Sequence, residues 1–251
     1  MKTAILINVR LDSKRLPKKH LIQYRNLTVL EILIKRIQYF FQNYILDKRL
    51  EIIIVTSLRI VNKQLEDIAL RNGVEIFFGN DENIPYRQLR CAENFNLSNI
   101  INVCGDNILI SMLAIETVYY RLCNGDNLVK TTGLPLGMNV AGYSYNKLQE
   151  SLLNRIKENQ RLDTGWYKIF EDMREIKISD YDLNSLRLTL DYKEDELFLI
   201  SVFEKLGETL LTASDEDVLN TIKTYKLEKI NNNLIEIYWK NFNANGENPN
   251  I

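Results

Sequence analysis

Residues 8–20 read NVRLDSKRLPKKH, and they set Arg10, Lys14, Arg15, Lys18 and Lys19 against a single acid, Asp12. Arginine offers phosphate oxygens a two-pronged fork, and lysine offers a compact point charge. Several of each in one loop suit a small polyanion such as a triphosphate, whose charge in a partly dry cleft needs cations and backbone N–H groups together. Arg10, Arg15 and Lys19 recur at spacings of five and four, which lets a loop converge them on one ligand. The stretch contains no glycine, so it is neither a P-loop nor a dinucleotide fingerprint. Two carboxylates stand behind expected strands further on: Asp106 after Asn99–Cys104, and Asp191 after Leu186–Leu190. Acids at separate strand ends suit Mg2+, which takes oxygen ligands and retains waters. A strand-end aspartate also caps a following helix, and residue type leaves that reading open. Asp195, one turn beyond Asp191, reads as a helix-face residue.

The remaining composition narrows the chemistry. His20 is the single histidine, which argues against a histidine metal centre and confines any Ser-His-Asp arrangement to the basic loop itself. Cys91, Cys104 and Cys123 form no CxxC pair, so neither a disulfide framework nor a zinc site is expected, and a reducing compartment is. A net charge of -1 over 251 residues lacks the broad basic excess of a nucleic-acid or anionic-membrane binder. Only seven uncharged residues separate Lys2 from Arg10, too few for a signal peptide's apolar core, and no apolar stretch reaches membrane-spanning length. The expectation is a cytoplasmic protein with no nucleic-acid or membrane partner.

The elements that must position these residues alternate. Residues 3–9 form a short apolar run of the doubly buried kind. Val29–Phe41 places Leu30, Leu33, Ile34, Ile37 and Phe41 on one helical face. Strands are expected at Glu51–Thr56, Val74–Phe78 and Asn99–Cys104, with helices at Asn62–Asn72 and Tyr86–Asn94 between them. Four strand–helix alternations with short connections predict a mostly parallel sheet with helices on both faces, and ligands then bind beyond the carboxyl ends of the strands. Further on, helices are expected at Leu113–Cys123, Leu148–Asn159, Glu194–Leu206, Asp215–Tyr225 and Leu234–Phe242, and strands at Asn139–Tyr145 and Leu186–Leu190. The chain reads as one domain over 1–242, with a smaller inserted subdomain near 130–185 and a flexible tail at 243–251.

The spacing within the basic loop is more specific than its charge. Val9-Arg10-x-x-Ser13-x-Arg15-Leu16-Pro17-x-Lys19-x-Leu21 resembles the signature A-R-x-x-S-x-R-L-P-x-K-x-L of the CMP-Kdo and acylneuraminate cytidylyltransferases, most closely their spore-coat and surface-polysaccharide homologues. The likeness continues in order along the chain. Gly79-Asn80-Asp81-Glu82-Asn83-Ile84-Pro85-Tyr86-Arg87 looks like the family's G-s-e-d-D-V-L-x-R, and Val103–Ile110 is similar to I-T-G-D-x-P-L-I. Leu186–Asp195 resembles L-R-L-T-V-D-t-x-x-D, and Leu227–Asn231 matches the way these homologues close. Where the family's acceptor-side strand carries a glutamate, this sequence has Ala141, and Asp163 and Thr164 lie near the expected acceptor contacts.

The resemblance implies a Rossmann-like, nucleotide-diphospho-sugar transferase-type α/β fold. It implies an enzyme that transfers CMP from CTP to a sugar acid with release of pyrophosphate, for surface polysaccharide biosynthesis. Arg10, Ser13, Arg15, Lys19, Arg87 and Asp106 are then nucleotide contacts, Lys19, Arg10 and Asp106 the catalytic group, and Asp106 and Asp191 the Mg2+ ligands. A homodimer is also implied. Two alternatives remain: a glycosyltransferase of related fold, whose usual Asp-x-Asp pair is missing at Asp106-Asn107-Ile108, and a non-catalytic nucleotide-binding homologue.

Overall fold

Ile5 and Ile7 of the first strand enter one hydrophobic core while Ala4 and Leu6 enter another, so alternate residues of a single strand feed two layers. A computed structural model describes residues 2–153, 161–162, 166–180 and 186–246. The chain runs β1 (Thr3–Asn8), β2 (Gln23–Tyr24), β3 (Leu27–Thr28), α1 (Val29–Phe40), α2 (Gln42–Leu46), β4 (Leu50–Ser57), α3 (Gln64–Asn72), β5 (Glu75–Gly79), α4 (Ile84–Phe95) and β6 (Asn99–Cys104). It continues through α5 (Met112–Cys123), β7 (Leu128–Thr132), β8 (Ala141–Ser144), α6 (Tyr145–Leu153), β9 (Arg174–Lys177), α7 (Lys193–Leu206), α8 (Asp215–Tyr225) and α9 (Leu234–Gly246).

Among the described residues seven strands form one sheet in the order β5-β4-β1-β6-β8-β7-β9. β1 pairs in parallel with β4 and β6, β4 with β5, and β7 with β9; β8 runs antiparallel to both β6 and β7. The expected mostly parallel α/β sheet is therefore observed. Residues from α1, α3, α5, α7 and α8 build the larger core, and α4 and α6 cover the opposite face. Sequence logic explains the helix starts. Thr28 and Glu31 close a capping box on α1, and Asn83 caps α4 with Pro85 in its first turn. Gly73 ends α3 in the left-handed region.

The main departure concerns residues 186–190. The expected strand is absent: apart from one isolated bridge between Leu136 and Arg187, the segment lies outside the sheet. Its backbone donors go to loop carbonyls instead, Leu188 N–H to Leu136 O at 2.8 Å and Leu190 N–H to Asp106 O at 2.9 Å. Asp191 thus ends an extended segment docked on two loops. The strand expected at Asn139–Tyr145 shortens to Ala141–Ser144, the helix expected from Leu148 begins at Tyr145, and α9 continues past Phe242. β2, β3, β7, β9 and α2 were not anticipated. Asp163 and Thr164 lie outside the described residues.

Candidate active site

The loop after β1 is shaped before any ligand arrives. Leu11 N–H donates to Asn62 Oδ1 at 2.9 Å, and Lys18 N–H donates back to Leu11 O at 3.0 Å with Lys18 in the left-handed region. Ser13 Oγ accepts from Leu16 N–H at 3.4 Å, which tightens the turn. The folded-back loop then delivers Lys19 inward. Its ammonium donates to Asp106 Oδ2 at 2.9 Å, Asp191 Oδ1 at 3.0 Å and Leu190 O at 2.7 Å. Arg15 Nη2 donates to the same Asp191 oxygen at 2.7 Å. Four residues from three distant stretches therefore meet at the carboxyl edge of β1 and β6.

Electrostatics follow from this packing. Burial works against the Lys19 ammonium, but Asp106 and Asp191 outweigh it and hold its pKa above the ordinary value. Burial would likewise push the Asp191 carboxyl up, yet Lys19 and Arg15, with Arg187, carry it below the usual carboxylate range. Asp106 is the more accessible acid, with about a quarter of its side chain exposed (26%) against 5% for Asp191.

Gly105 lets Asp106 sit here. A Cβ on Gly105 would lie 2.7 Å from Val9 Cγ2 and 3.0 Å from Asn8 O, so only glycine permits β6 to leave the sheet this close to β1. His20 packs against the same spot, with Nδ1–H donating to Gly105 O at 3.1 Å. Burial, reinforced by Lys19, pushes its pKa down to about 4. His20 is a neutral structural residue.

A second basic group follows the same edge toward β4 and β5. Arg87 is almost fully buried, its Nε and Nη2 donating to the carbonyls of Asn80 at 2.8 Å and Asp81 at 3.2 Å. Burial, together with the neighbouring charge of Arg10, brings its pKa down to about 10. Arg59, at the end of β4, bonds Asp12 and reaches Glu82 at 3.6 Å. Arg10 is exposed, with Nε 3.9 Å from Asp12 Oδ1. The residues anticipated for phosphate binding thus divide: Arg15 and Lys19 join the two acids, while Arg10 stands with Arg87 beside Asp12.

Sequence reasoning missed the group beneath Asp191. Arg187 is fully buried and donates to Asp191 Oδ2 and to both oxygens of Asp195. Asp195, anticipated as a helix-face residue, has no exposed surface and accepts the backbone N–H groups of Asp191 and Tyr192. Arg187 and Asn231 both lie inside matched motifs, which was the available signal.

Comparison with known proteins gives this geometry a context. Residues 4–230 match a family model described as Cytidylyltransferase. The chain is 25% identical over 217 residues to the spore coat polysaccharide biosynthesis protein SpsF of Bacillus subtilis, covering 81% of this chain and 87% of SpsF. In fold it is similar to a cytidylyltransferase from Leptospira borgpetersenii, with a TM-score of 0.78 at 21% identity over 91% of this chain and 96% of that one. It is also similar to a CMP:2-keto-3-deoxy-manno-octonic acid synthetase complexed with CTP, with a TM-score of 0.57 at 12% identity, covering 81% and 99% of the two chains. Among the described residues no helix is long and apolar enough to cross a membrane.

Proposed function

Because the chain belongs to the cytidylyltransferase family and is thus a nucleotidyltransferase, we propose that it transfers CMP from CTP to a hydroxyl of a sugar acid and releases pyrophosphate. The observation that carries this reading is the meeting of Lys19 with Asp106 and Asp191 at one point of the sheet's carboxyl edge. The acceptor hydroxyl gives up its proton to water as its oxygen forms a bond to the α-phosphorus, the bond to the β-phosphate oxygen breaks, and that electron pair leaves with pyrophosphate. Such chemistry depends chiefly on positioning and on stabilising charge.

In this reading Lys19, Arg10 and Arg15 hold the β- and γ-phosphates and stabilise the departing pyrophosphate. Arg87, held in place by the backbone carbonyls of Asn80 and Asp81, keeps positive potential at the far side of the cleft. Ser13 shapes the loop around the phosphates. Both acids lie within hydrogen-bond distance of one ammonium, so two hard oxygen donors already address a single cation position. Two carboxylates leave coordination positions for the several waters that Mg2+ retains. Bound there by Asp106 and Asp191, Mg2+ would supply Lewis-acid polarisation of the α-phosphate. A role in making activated sugars for surface polysaccharide agrees with the name of the SpsF relative. Pairing into a homodimer is proposed through late helices such as α9, where Ile237 and Trp239 are exposed, or through the middle subdomain.

A nucleotide panel read by thermal shift with Mg2+ tests the class, with CTP expected to stabilise selectively. Pyrophosphate release on adding a sugar acid then tests the reaction. Asp106→Asn should lower kcat/KM on the order of a hundredfold, as does loss of a donor acting on transition-state charge. Near-normal turnover by folded Asp106→Asn would remove that residue from the chemistry.

A further inference from the structure

A buried ion pair is a poor source of stability, because apolar residues of similar volume often serve as well. Arg187 therefore needs another explanation. Its guanidinium, wholly buried, donates through Nε to Asp195 Oδ1 at 2.9 Å and through Nη2 to Asp195 Oδ2 and Asp191 Oδ2, each at 3.0 Å. The rings of Tyr238 and Tyr192 lie 5.2 and 5.9 Å from its central carbon. The partners are themselves fixed. Asp195 accepts the backbone N–H of Asp191 at 2.9 Å and of Tyr192 at 3.0 Å. Asn231 closes the unit from the C-terminal side, its one amide nitrogen donating to Asp195 Oδ1 at 2.9 Å and to Arg187 O at 3.0 Å.

The consequence falls on one torsion of Asp191. With Oδ2 tied inward to Arg187, Oδ1 is the oxygen turned to Lys19 and Arg15. Turning the carboxylate would leave a buried guanidinium donor unpaired, which is costly. We infer that Arg187, braced by Asp195 and Asn231, is a positioning residue that aims a single oxygen of Asp191 into the nucleotide cleft. The inference rests on the role proposed above for Asp191.

A double-mutant cycle tests it, because a residue that acts only through Asp191 has nothing left to do once Asp191 is gone. Asp191→Asn, Arg187→Lys, Asn231→Ala and their combinations are compared by pyrophosphate release, by Mn2+ affinity in the presence of CTP (from the free-ion EPR signal), and by CTP affinity in EDTA. Lysine keeps the charge but lacks the fork. Asn231→Ala removes two hydrogen bonds without unpairing a charge, and carries the test if Arg187→Lys does not fold.

Asp191→Asn should lower kcat about a hundredfold. Arg187→Lys and Asn231→Ala should each lower kcat and Mn2+ affinity about tenfold, with KM for CTP and metal-free CTP affinity within twofold. Neither should add to the loss in Asp191→Asn. Losses that add in the double variants, or normal kcat in folded Arg187→Lys and Asn231→Ala, would overturn the positioning role while leaving the functional reading in place. Normal turnover by Asp191→Asn would overturn both.

Discussion

At the scale of single residues, Lys19 carries the most information. An ammonium has three N–H donors, and Lys19 spends them on Asp106, Asp191 and Leu190 O. The protein without ligand thus holds its own cation between its two acids, and a phosphate oxygen gains a Lys19 donor only when one of these bonds is given up. On the proposed reading of this site, metal and nucleotide binding are coupled through that exchange. Lys19→Gln removes the resident charge, so Mn2+ titrated without nucleotide should bind about tenfold tighter to the variant, while CTP binds more weakly. Equal or weaker Mn2+ binding by folded Lys19→Gln would contradict the exchange. Arg187, Asp195 and Asn231 lie one layer further in, and although the matched motifs contain them, their meeting was illegible for a simple reason. Asn231 meets Arg187 across 44 residues of sequence and Asp195 across 36, and no local pattern encodes such a meeting.

At the scale of elements, what could be read depended on how completely each segment is buried. β1, β4 and β6 are apolar on both faces, α1 and α8 have one clear apolar side, and their positions followed from pattern within a residue or two. β9 is largely exposed, with Arg174, Glu175, Ile176 and Lys177 offering no alternation to read, and β2 and β3 are two residues each. Residues 186–190 misled because Leu186, Leu188 and Leu190 alternate with Arg187 and Thr189 as in a strand, whereas the segment is buried by docking on loops instead of pairing in the sheet. Gly137 permits that docking. It adopts φ +95°, and a Cβ there would lie 2.8 Å from the Leu188 carbonyl carbon and 3.0 Å from Thr189 N. Gly137→Ala should therefore push the segment off Leu136 and shift Asp191 by a few tenths of an ångström or more. We expect kcat for pyrophosphate release to fall about tenfold while circular dichroism stays native. Unaltered kinetics would show that Asp191 is positioned by Arg187 alone.

At the scale of the whole molecule, near-neutrality conceals an organised charge distribution. Arg15, Lys19 and Arg187 balance Asp106, Asp191 and Asp195 at the carboxyl edge of β1 and β6, so the site is locally neutral before ligand binds. A further positive charge in that neighbourhood is unwelcome, and the lone histidine sits where it would arise. His20 is 2% exposed, bonded to Gly105 O and adjacent to Lys19, and burial, with Lys19, holds its pKa near 4 against an ordinary 6.5. The sign follows from proton counting. Below pH 6.5 the unfolded chain binds a proton that the folded chain refuses until about pH 4, so folding stability is full above 6.5 and falls as pH drops through that window. The whole effect corresponds to roughly 3 kcal/mol, of which about 2 kcal/mol is lost by pH 5. Because the sequence has one histidine, and ordinary carboxylates titrate near or below the lower limit of that window, urea unfolding at pH 7.5 and pH 5 isolates it. Wild type should lose about 2 kcal/mol between the two, and His20→Gln, whose amide can still donate to Gly105 O, should lose far less. Equal pH dependence in the two proteins would mean that His20 accepts its proton in the fold, and the neutral wedge between the basic loop and β6 would have to be abandoned.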